Sequence, residues 1–174
     1  MCGIPGSGKS VYSKGLATAS SATILEPDAF HLHLTGKWFH GPACDVIWAT
    51  VKTTASVLLK SGQTVILDAT SLDKHRRGEW VYIARQCEVP ISAWALVTSK
   101  NVCIRRNLER ERTVSESILN SQMARYQLPT MEEGFSAVHY VSTDEDTFTM
   151  IGSSNEHTAS GSYDILKGQY PYKD

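Results

Sequence analysis

The feature that most constrains this chain lies at its start, where residues 3–10 read Gly-Ile-Pro-Gly-Ser-Gly-Lys-Ser. This is the pattern G-x-x-x-x-G-K-[ST], in which glycines let the backbone turn tightly and approach a ligand without a Cβ in the way. The amides of such a loop, with the N-terminus of the helix that follows, bind phosphate oxygens. Residues 10–20 lack proline and read as that helix. The sequence therefore predicts a nucleoside triphosphate site.

The loop residues divide between binding and chemistry. Lys9 is expected to reach the β- and γ-phosphates of ATP and to act in catalysis, and the Ser10 hydroxyl is expected to ligate Mg²⁺. The predicted ATP-binding residues of the loop are Gly3, Pro5, Gly6, Ser7, Gly8, Lys9 and Ser10.

Bulk composition sets broad limits. The 174 residues fit one domain with a core of ordinary size. A net charge of −1 argues against a protein that coats long nucleic acid, although a local basic groove remains compatible with it. The four cysteines show no C-x-x-C pair, which favours free thiols. No stretch resembles a membrane span or a signal peptide, so we expect a cytoplasmic protein, with no protein partner indicated.

Apolar runs alternate with segments of helical spacing along the chain. The predicted strands are residues 22–25, 64–68, 91–98 and 137–142, and the predicted helices after the first are residues 44–60, 74–87, 100–112 and 115–127. This alternation predicts an α/β fold with a parallel sheet and helices on both faces, as in P-loop NTPases. Residues 31–42 show no clear period and are predicted to be irregular.

Two acidic residues follow predicted strands, where α/β folds place functional groups. Asp28 is a candidate base that accepts the proton of an acceptor hydroxyl, the alternative being a turn or N-cap aspartate. Asp68 ends the next apolar run and is a candidate Mg²⁺ ligand, the alternative being a simple strand-end cap.

Arginines supply the positive charge that phosphoryl transfer requires. Arg106, Arg110 and Arg112 lie on or just past the predicted helix of residues 100–112, and a spacing of four places Arg106 and Arg110 on one helix face. We predict that this group closes over the nucleotide as a lid, with Arg106 and Arg112 binding it. The alternative is a solvated helix in which these arginines pair with neighbouring glutamates.

Other basic residues are less specific. Arg76 and Arg77 open the helix of residues 74–87, and they are interpreted either as contacts to an acceptor phosphate or as surface charge. His31 and His33 are interpreted as structural or substrate-facing, because no third ligand accompanies them at zinc spacing.

Taken together, these motifs resemble the P-loop kinases of the polynucleotide 5′-hydroxyl kinase type, within the AAA-like and zeta-toxin-like P-loop kinase group. The residues that carry the resemblance are 3–10, 27–30, 65–70, 76–77, 106–112 and 128–137. The resemblance covers the chain from Gly3 to about Ser142. It implies that Asp28 is the general base on the acceptor 5′-hydroxyl, that Arg110 is the lid arginine at the transferring phosphoryl group, and that Asp68 is the strand-end acid.

The function implied is that of an ATP-dependent kinase that moves the γ-phosphate to the 5′-hydroxyl end of a polynucleotide, with ATP and Mg²⁺ as cofactors. One departure concerns the acceptor, because His31 stands where some relatives carry an arginine three residues after the base. The same core also serves kinases of sugars, nucleosides, antibiotics and nucleotide sugars. A further alternative is an ATP-binding domain without turnover.

The two ends of the chain carry separate expectations. Only Met1 and Cys2 precede the loop, whereas a P-loop normally follows a buried strand, so the first strand is interpreted as truncated; the alternative is that another segment fills the central slot. Residues 1–142 are predicted to be a P-loop kinase domain. Residues 143–174 are predicted to be a polar linker and tail of unknown role, with Asp144–Thr147 a solvated acidic turn.

Overall fold

The computed structural model describes residues 1–144 and 148–155. In chain order its helices and strands are α1 (Lys9–Ser20), β1 (Thr23–Leu25), α2 (Pro27–Thr35), α3 (Cys44–Lys60), β2 (Val65–Leu67), α4 (Lys74–Gln86), β3 (Ser92–Val97), α5 (Lys100–Leu108), α6 (Glu116–Arg125), β4 (Ala137–Ser142) and β5 (Thr149–Asn155). Short 3₁₀ turns occupy Gly41–Ala43 and Met131–Glu133. The alternation confirms the predicted α/β class.

Helix boundaries follow local chemistry. The Asp73 side chain accepts the Arg76 N–H at 2.9 Å and so caps the N-terminus of α4. α2 begins at Pro27, whose fixed φ suits the first turn of a helix, and ends at Gly36 in the left-handed region at φ 67°. The prediction that residues 31–42 are irregular is therefore wrong as far as Thr35. The sequence of α2 lacks a clear helical pattern of apolar residues, because a polar residue, His31, occupies one of its buried positions.

The strands form two hydrogen-bonded groups. β1 pairs in parallel with β2, and β3 pairs in parallel with β4. β5 runs antiparallel to β4, so part of the predicted polar tail belongs to the sheet. Backbone pairing rather than apolar periodicity holds this strand, and Gly152 lies against the Tyr140 ring. The acidic segment Glu145–Thr147 and the tail beyond Asn155 lie outside the described residues.

The first three residues connect the two groups of strands. The Met1 amino group donates to the Leu67 carbonyl at 2.8 Å, and Cys2 pairs in parallel with Ala95. The Cys2 N–H donates to the Trp94 carbonyl at 2.7 Å. The central slot between β2 and β3 is thus occupied by Met1 and Cys2. A cavity of about 340 Å³ adjoins them; its lining includes residues 64–67, 92–94 and side chains of α1, α3 and α4.

Buried side chains form two cores, one on each group of strands. The larger core surrounds β3 and β4 and includes Ile4, Val138 and Tyr140. The smaller core lies on β1 and α3 and includes Leu25, Ile47 and Val51. Among the described residues, no helix is both long enough and apolar enough to span a bilayer.

Candidate active site

The P-loop lies at the ends of the strands and its glycines are sterically required. Gly6 has φ 82° and Gly8 has φ 89°, which are left-handed conformations that side chains rarely adopt. A Cβ on Gly6 would overlap the backbone carbonyl of Cys103 in α5. Gly8 precedes α1, which begins at Lys9. The first amides of α1 have no acceptor within the helix, so the loop and the helix N-terminus can bind anionic oxygens.

Lys9 is held inside the loop. Its Nζ donates to the Ile4 carbonyl at 2.9 Å, and the same carbonyl accepts the Ser7 N–H at 3.2 Å. Burial lowers the pKa of Lys9 to about 8; the negative charge of Asp68 opposes this shift and the positive charge of Arg110 adds to it. These interactions bring the predicted phosphate lysine, metal ligand and lid arginine into one electrostatic environment.

Ser7 anchors the loop to the strands. It is fully buried, and its carbonyl accepts the hydroxyls of Thr98 and Thr143, each at 3.1 Å. The Ser7 Oγ has no hydrogen-bond partner among the described residues. Ser7 therefore fixes the loop between the ends of β3 and β4, and its predicted contact with ATP stays a prediction.

Three acidic residues, Glu26, Asp28 and Asp68, follow the ends of β1 and β2. Asp68 is buried, and its N–H donates to the Leu25 carbonyl at 2.9 Å. Asp28 lies in the first turn of α2. Burial raises the pKa of Glu26, and the nearby charges of Asp68 and Asp28 raise it further. Glu26 was not among the predicted site residues, although it directly follows an apolar run, as Asp68 does.

The predicted Mg²⁺ ligands are chemically suited to that ion. Ser10 lies in the first turn of α1, and Asp68 is close enough to Lys9 to affect its pKa. In the part of the chain that the structure describes, no group of three or more His, Cys, Asp or Glu side chains is arranged to hold a metal. Mg²⁺ commonly uses one or two carboxylates with water and substrate phosphates, so a site with one carboxylate and one hydroxyl fits it.

The lid arginines lie mostly in a loop. α5 ends at Leu108, so Arg106 and Arg110 do not share a helix face as predicted. The buried side chain of Asn107 closes this loop: its Nδ2 donates to the Val114 carbonyl at 2.8 Å, and its Oδ1 accepts the Val114 N–H at 3.1 Å. The helix stops early because this side chain bonds the backbone seven residues ahead.

The three arginines contact different parts of the site. Arg106 donates to the Thr143 hydroxyl at 2.9 Å and to the Thr143 carbonyl at 2.7 Å, which places it beside the P-loop anchor. Arg110 is exposed and near Lys9. Arg112 donates to Asp28 Oδ2 at 2.7 Å, and its guanidinium lies 5.0 Å from the ring centroid of Trp38. The lid loop thus contacts the candidate base directly.

Two other basic residues have structural roles. Arg77 is only 2% exposed and forms two 2.7 Å hydrogen bonds to Glu133, so both of its interpretations, as a contact to acceptor phosphate and as surface charge, are wrong. His31 is buried, and its Nδ1 accepts the His40 N–H at 3.3 Å. His31 therefore stabilises the segment after α2, which agrees with the structural interpretation of this histidine.

Comparisons with known proteins point to one fold group. The model of the family described as "AAA domain" matches residues 1–129. A bifunctional polynucleotide phosphatase/kinase from Schizosaccharomyces pombe is 33% identical over 88 residues, which are 48% of this chain and 22% of that protein. This chain thus spans about a fifth of the length of that curated relative.

Solved structures show the same architecture. A putative kinase from Chloroflexus aurantiacus J-10-fl superposes with a TM-score of 0.64 at 22% identity, over 83% of this chain and 86% of that one. A gluconokinase from Sinorhizobium meliloti 1021 superposes with a TM-score of 0.55 at 21% identity, over 81% and 79% of the two chains. The α/β fold of P-loop kinases is therefore shown.

Proposed function

We propose that this chain, which belongs to the AAA domain family and has the P-loop kinase fold, is an ATP-dependent kinase that phosphorylates the 5′-hydroxyl end of a polynucleotide. The observation that carries the proposal is the contact between the lid loop and the acid that follows β1. Arg112 reaches Asp28 across the site, while Arg110 and Asp68 both affect the pKa of Lys9. Phosphate-binding groups and a candidate base thus share one site.

The roles follow from charge and position. Lys9 and the first amides of α1 hold the β- and γ-phosphates, and Arg110 neutralises charge on the transferring phosphoryl group. Ser10 and Asp68 would hold Mg²⁺, which would supply positive charge to the phosphate oxygens. Asp28 accepts the proton of the attacking hydroxyl, and its bond to Arg112 uses one of its two carboxylate oxygens, Oδ2.

Asp28 is the best candidate for the base among the three carboxyl groups. Its side chain is 47% exposed, so an acceptor can reach it, whereas Asp68 is buried beside Lys9. Glu26 is half-buried, and its raised pKa reflects burial and the nearby charges of Asp68 and Asp28. Arg112 donates to Asp28 Oδ2 at 2.7 Å, which orients this carboxyl group at the site.

A polynucleotide acceptor is supported by the likeness to the Schizosaccharomyces pombe polynucleotide phosphatase/kinase. The second candidate is a small hydroxyl compound such as a sugar, which the superposition on a gluconokinase favours. Both candidates use the same phosphate-binding loop, metal ligands and base, so they differ only in what lies beyond Asp28.

The test is transfer of labelled phosphate from γ-labelled ATP, with Mg²⁺, to a short 5′-hydroxyl oligonucleotide. We expect the oligonucleotide to be labelled by the wild type and the rate to fall by about 10²–10⁴ in Asp28→Ala, because a positioned base contributes about that factor. ATP affinity should be unchanged, since Asp28 acts on the acceptor. The matched control is Asp45→Ala, an exposed aspartate in the first turn of α3, which should retain full activity.

Two results would contradict the proposal. If ATP binds but the wild type leaves the oligonucleotide unlabelled, the acceptor is not a polynucleotide end, and a panel of sugars and nucleosides tests the second candidate. If Asp28→Ala loses ATP affinity as well as transfer, Asp28 acts on the nucleotide and is not the base.

A further inference from the structure

We propose that Trp38 and Phe39 form a stacking surface for the nucleobase next to the acceptor hydroxyl. This inference rests on the proposed function and adds a subsite to it. The two rings lie in the segment 36–40, between the end of α2 and the turn Gly41–Ala43. We call this segment the aromatic loop.

The rings are exposed, which is unusual for side chains of this size. Trp38 is 44% exposed and Phe39 is 65% exposed. Leaving a large aromatic ring in water is unfavourable, because its burial would remove about 150–250 Å² of surface from solvent. The two rings differ from an isolated exposed ring in being adjacent to each other and beside a candidate active site, which suits a binding surface.

Contacts connect the aromatic loop to the candidate base. Arg112 lies over the Trp38 ring, 5.0 Å from its centroid, and also donates to Asp28 at 2.7 Å. A single guanidinium group therefore separates the indole from the carboxylate. In an acceptor with a free 5′-hydroxyl, one sugar ring joins the hydroxyl to the base, so a hydroxyl at Asp28 leaves that base in the neighbourhood of Trp38.

The aromatic loop is held in place from both ends. The His40 N–H donates to His31 Nδ1 at 3.3 Å, and the His31 ring lies 5.4 Å from the Phe39 ring. At the other end, the Lys37 N–H donates to the Thr35 hydroxyl at 3.3 Å. The loop therefore presents its rings from a fixed backbone, which reduces the entropy lost when a ligand binds.

The charge around the rings suits a phosphodiester. No acidic residue occurs between Asp28 and Asp45 in the sequence. The same stretch contains Lys37 and two further histidines, His33 and His40. Aromatic rings with basic residues between them are the usual means of binding single-stranded nucleic acid, in which bases stack on rings while cations pair with phosphates.

The test compares two acceptors, a 5′-hydroxyl oligodeoxynucleotide and the same oligonucleotide with an abasic residue at its 5′ end. Stacking on an aromatic residue predicts that Trp38→Ala raises the KM of the base-bearing acceptor about 5- to 150-fold with little change in kcat. With the wild type, the KM of the abasic acceptor should be higher than that of the base-bearing acceptor by the same factor. Trp38→Ala should not raise the KM of the abasic acceptor further. Trp38→Phe should keep most of the affinity, because a ring remains.

The matched control is Tyr82→Ala, which removes a 63% exposed ring on α4 without contact to the site. It should leave KM unchanged for both acceptors. ATP affinity should be unchanged in all variants, which shows that the phosphate-binding loop is intact.

The outcomes separate this inference from the proposed function. A wild type that phosphorylates neither oligonucleotide contradicts the polynucleotide acceptor itself. A wild type that phosphorylates both with equal KM keeps that function and overturns the stacking surface. If Trp38→Ala weakens both acceptors equally, Trp38 acts by positioning Arg112, and the stacking surface is again overturned. If Trp38→Ala changes the sedimentation coefficient of the protein but neither KM, the rings contact a second copy of the chain, and the stacking surface is overturned.

Discussion

At the scale of single residues, the site depends on a lysine that is costly to keep charged. Lys9 is enclosed by its own loop and donates to the Ile4 carbonyl at 2.9 Å. Its pKa is lowered to about 8 mainly by burial, against an ordinary value of 10.5. Bound phosphates supply negative charge beside the ammonium group, so ATP binding favours its protonated form.

This difference predicts a pH dependence of ATP binding. Below about pH 8 Lys9 is already charged in the free protein, so its titration leaves ATP affinity unchanged there. As the pH rises above 8, the free protein loses the proton while the complex retains it, so affinity should fall by up to about tenfold per pH unit. Calorimetry at pH 8.5 in two buffers of different ionisation enthalpy should show proton uptake. Lys9→Met should abolish that uptake, and a dissociation constant that stays constant from pH 7.5 to 9 would refute the shift.

The residue scale also shows the limit of sequence reasoning about the site. Lys9 and Asp68 were identified because their positions follow from a motif and from the end of an apolar strand. Arg112 contacts Asp28, which the sequence did not predict, while its predicted contact with ATP stays a prediction. Its position depends on the path of a loop that is closed by Asn107, and no local pattern reports a hydrogen bond across seven residues.

At the scale of elements, one buried ion pair joins α4 to the segment that follows the lid. Arg77 and Glu133 are 2% and 4% exposed in their side chains and share two hydrogen bonds of 2.7 Å. Arg77 also donates to the carbonyls of Ser71 and Gln127, at 3.0 and 2.7 Å. The pair therefore fixes the chain after β2 against the chain after α6.

Breaking this pair should be strongly destabilising. Glu133→Ala leaves a buried guanidinium without its carboxylate, and we expect a loss of about 3–5 kcal/mol in the free energy of unfolding. The double variant Arg77→Met, Glu133→Leu should recover most of that loss, because both charges are removed together. Urea denaturation measures both. Glu79→Ala, which breaks the exposed pair with Lys52, should cost less than about 1 kcal/mol, and a similar loss in both pairs would refute the assignment.

At the scale of the whole molecule, Met1 and Cys2 connect the two groups of strands, because Met1 donates to Leu67 and Cys2 pairs with Ala95. The sequence predicted β1 to β4 because each is a short apolar run bounded by polar residues or proline. It missed β5, since a strand that includes Gly152 and two serines depends on backbone pairing with β4 and has little apolar pattern of its own. The position of β5 therefore depends on its pairing with β4, which no local sequence pattern predicts.

The cavity of about 340 Å³ beside Met1 predicts how stability responds to added chain. A Val-Ile-Val extension before Met1 can run between residues 64–65 and Ser92, burying apolar side chains that contribute about 1.5–3 kcal/mol each against an ordering cost of about 1–2 kcal/mol per residue. A net gain of about 1–3 kcal/mol should raise Tm by about 2–4 °C per kcal/mol in a chain of this size. A Gly-Ser-Gly extension is the control, because it has no apolar side chains to bury. Equal Tm values for the two extensions would show that the cavity does not accept a strand.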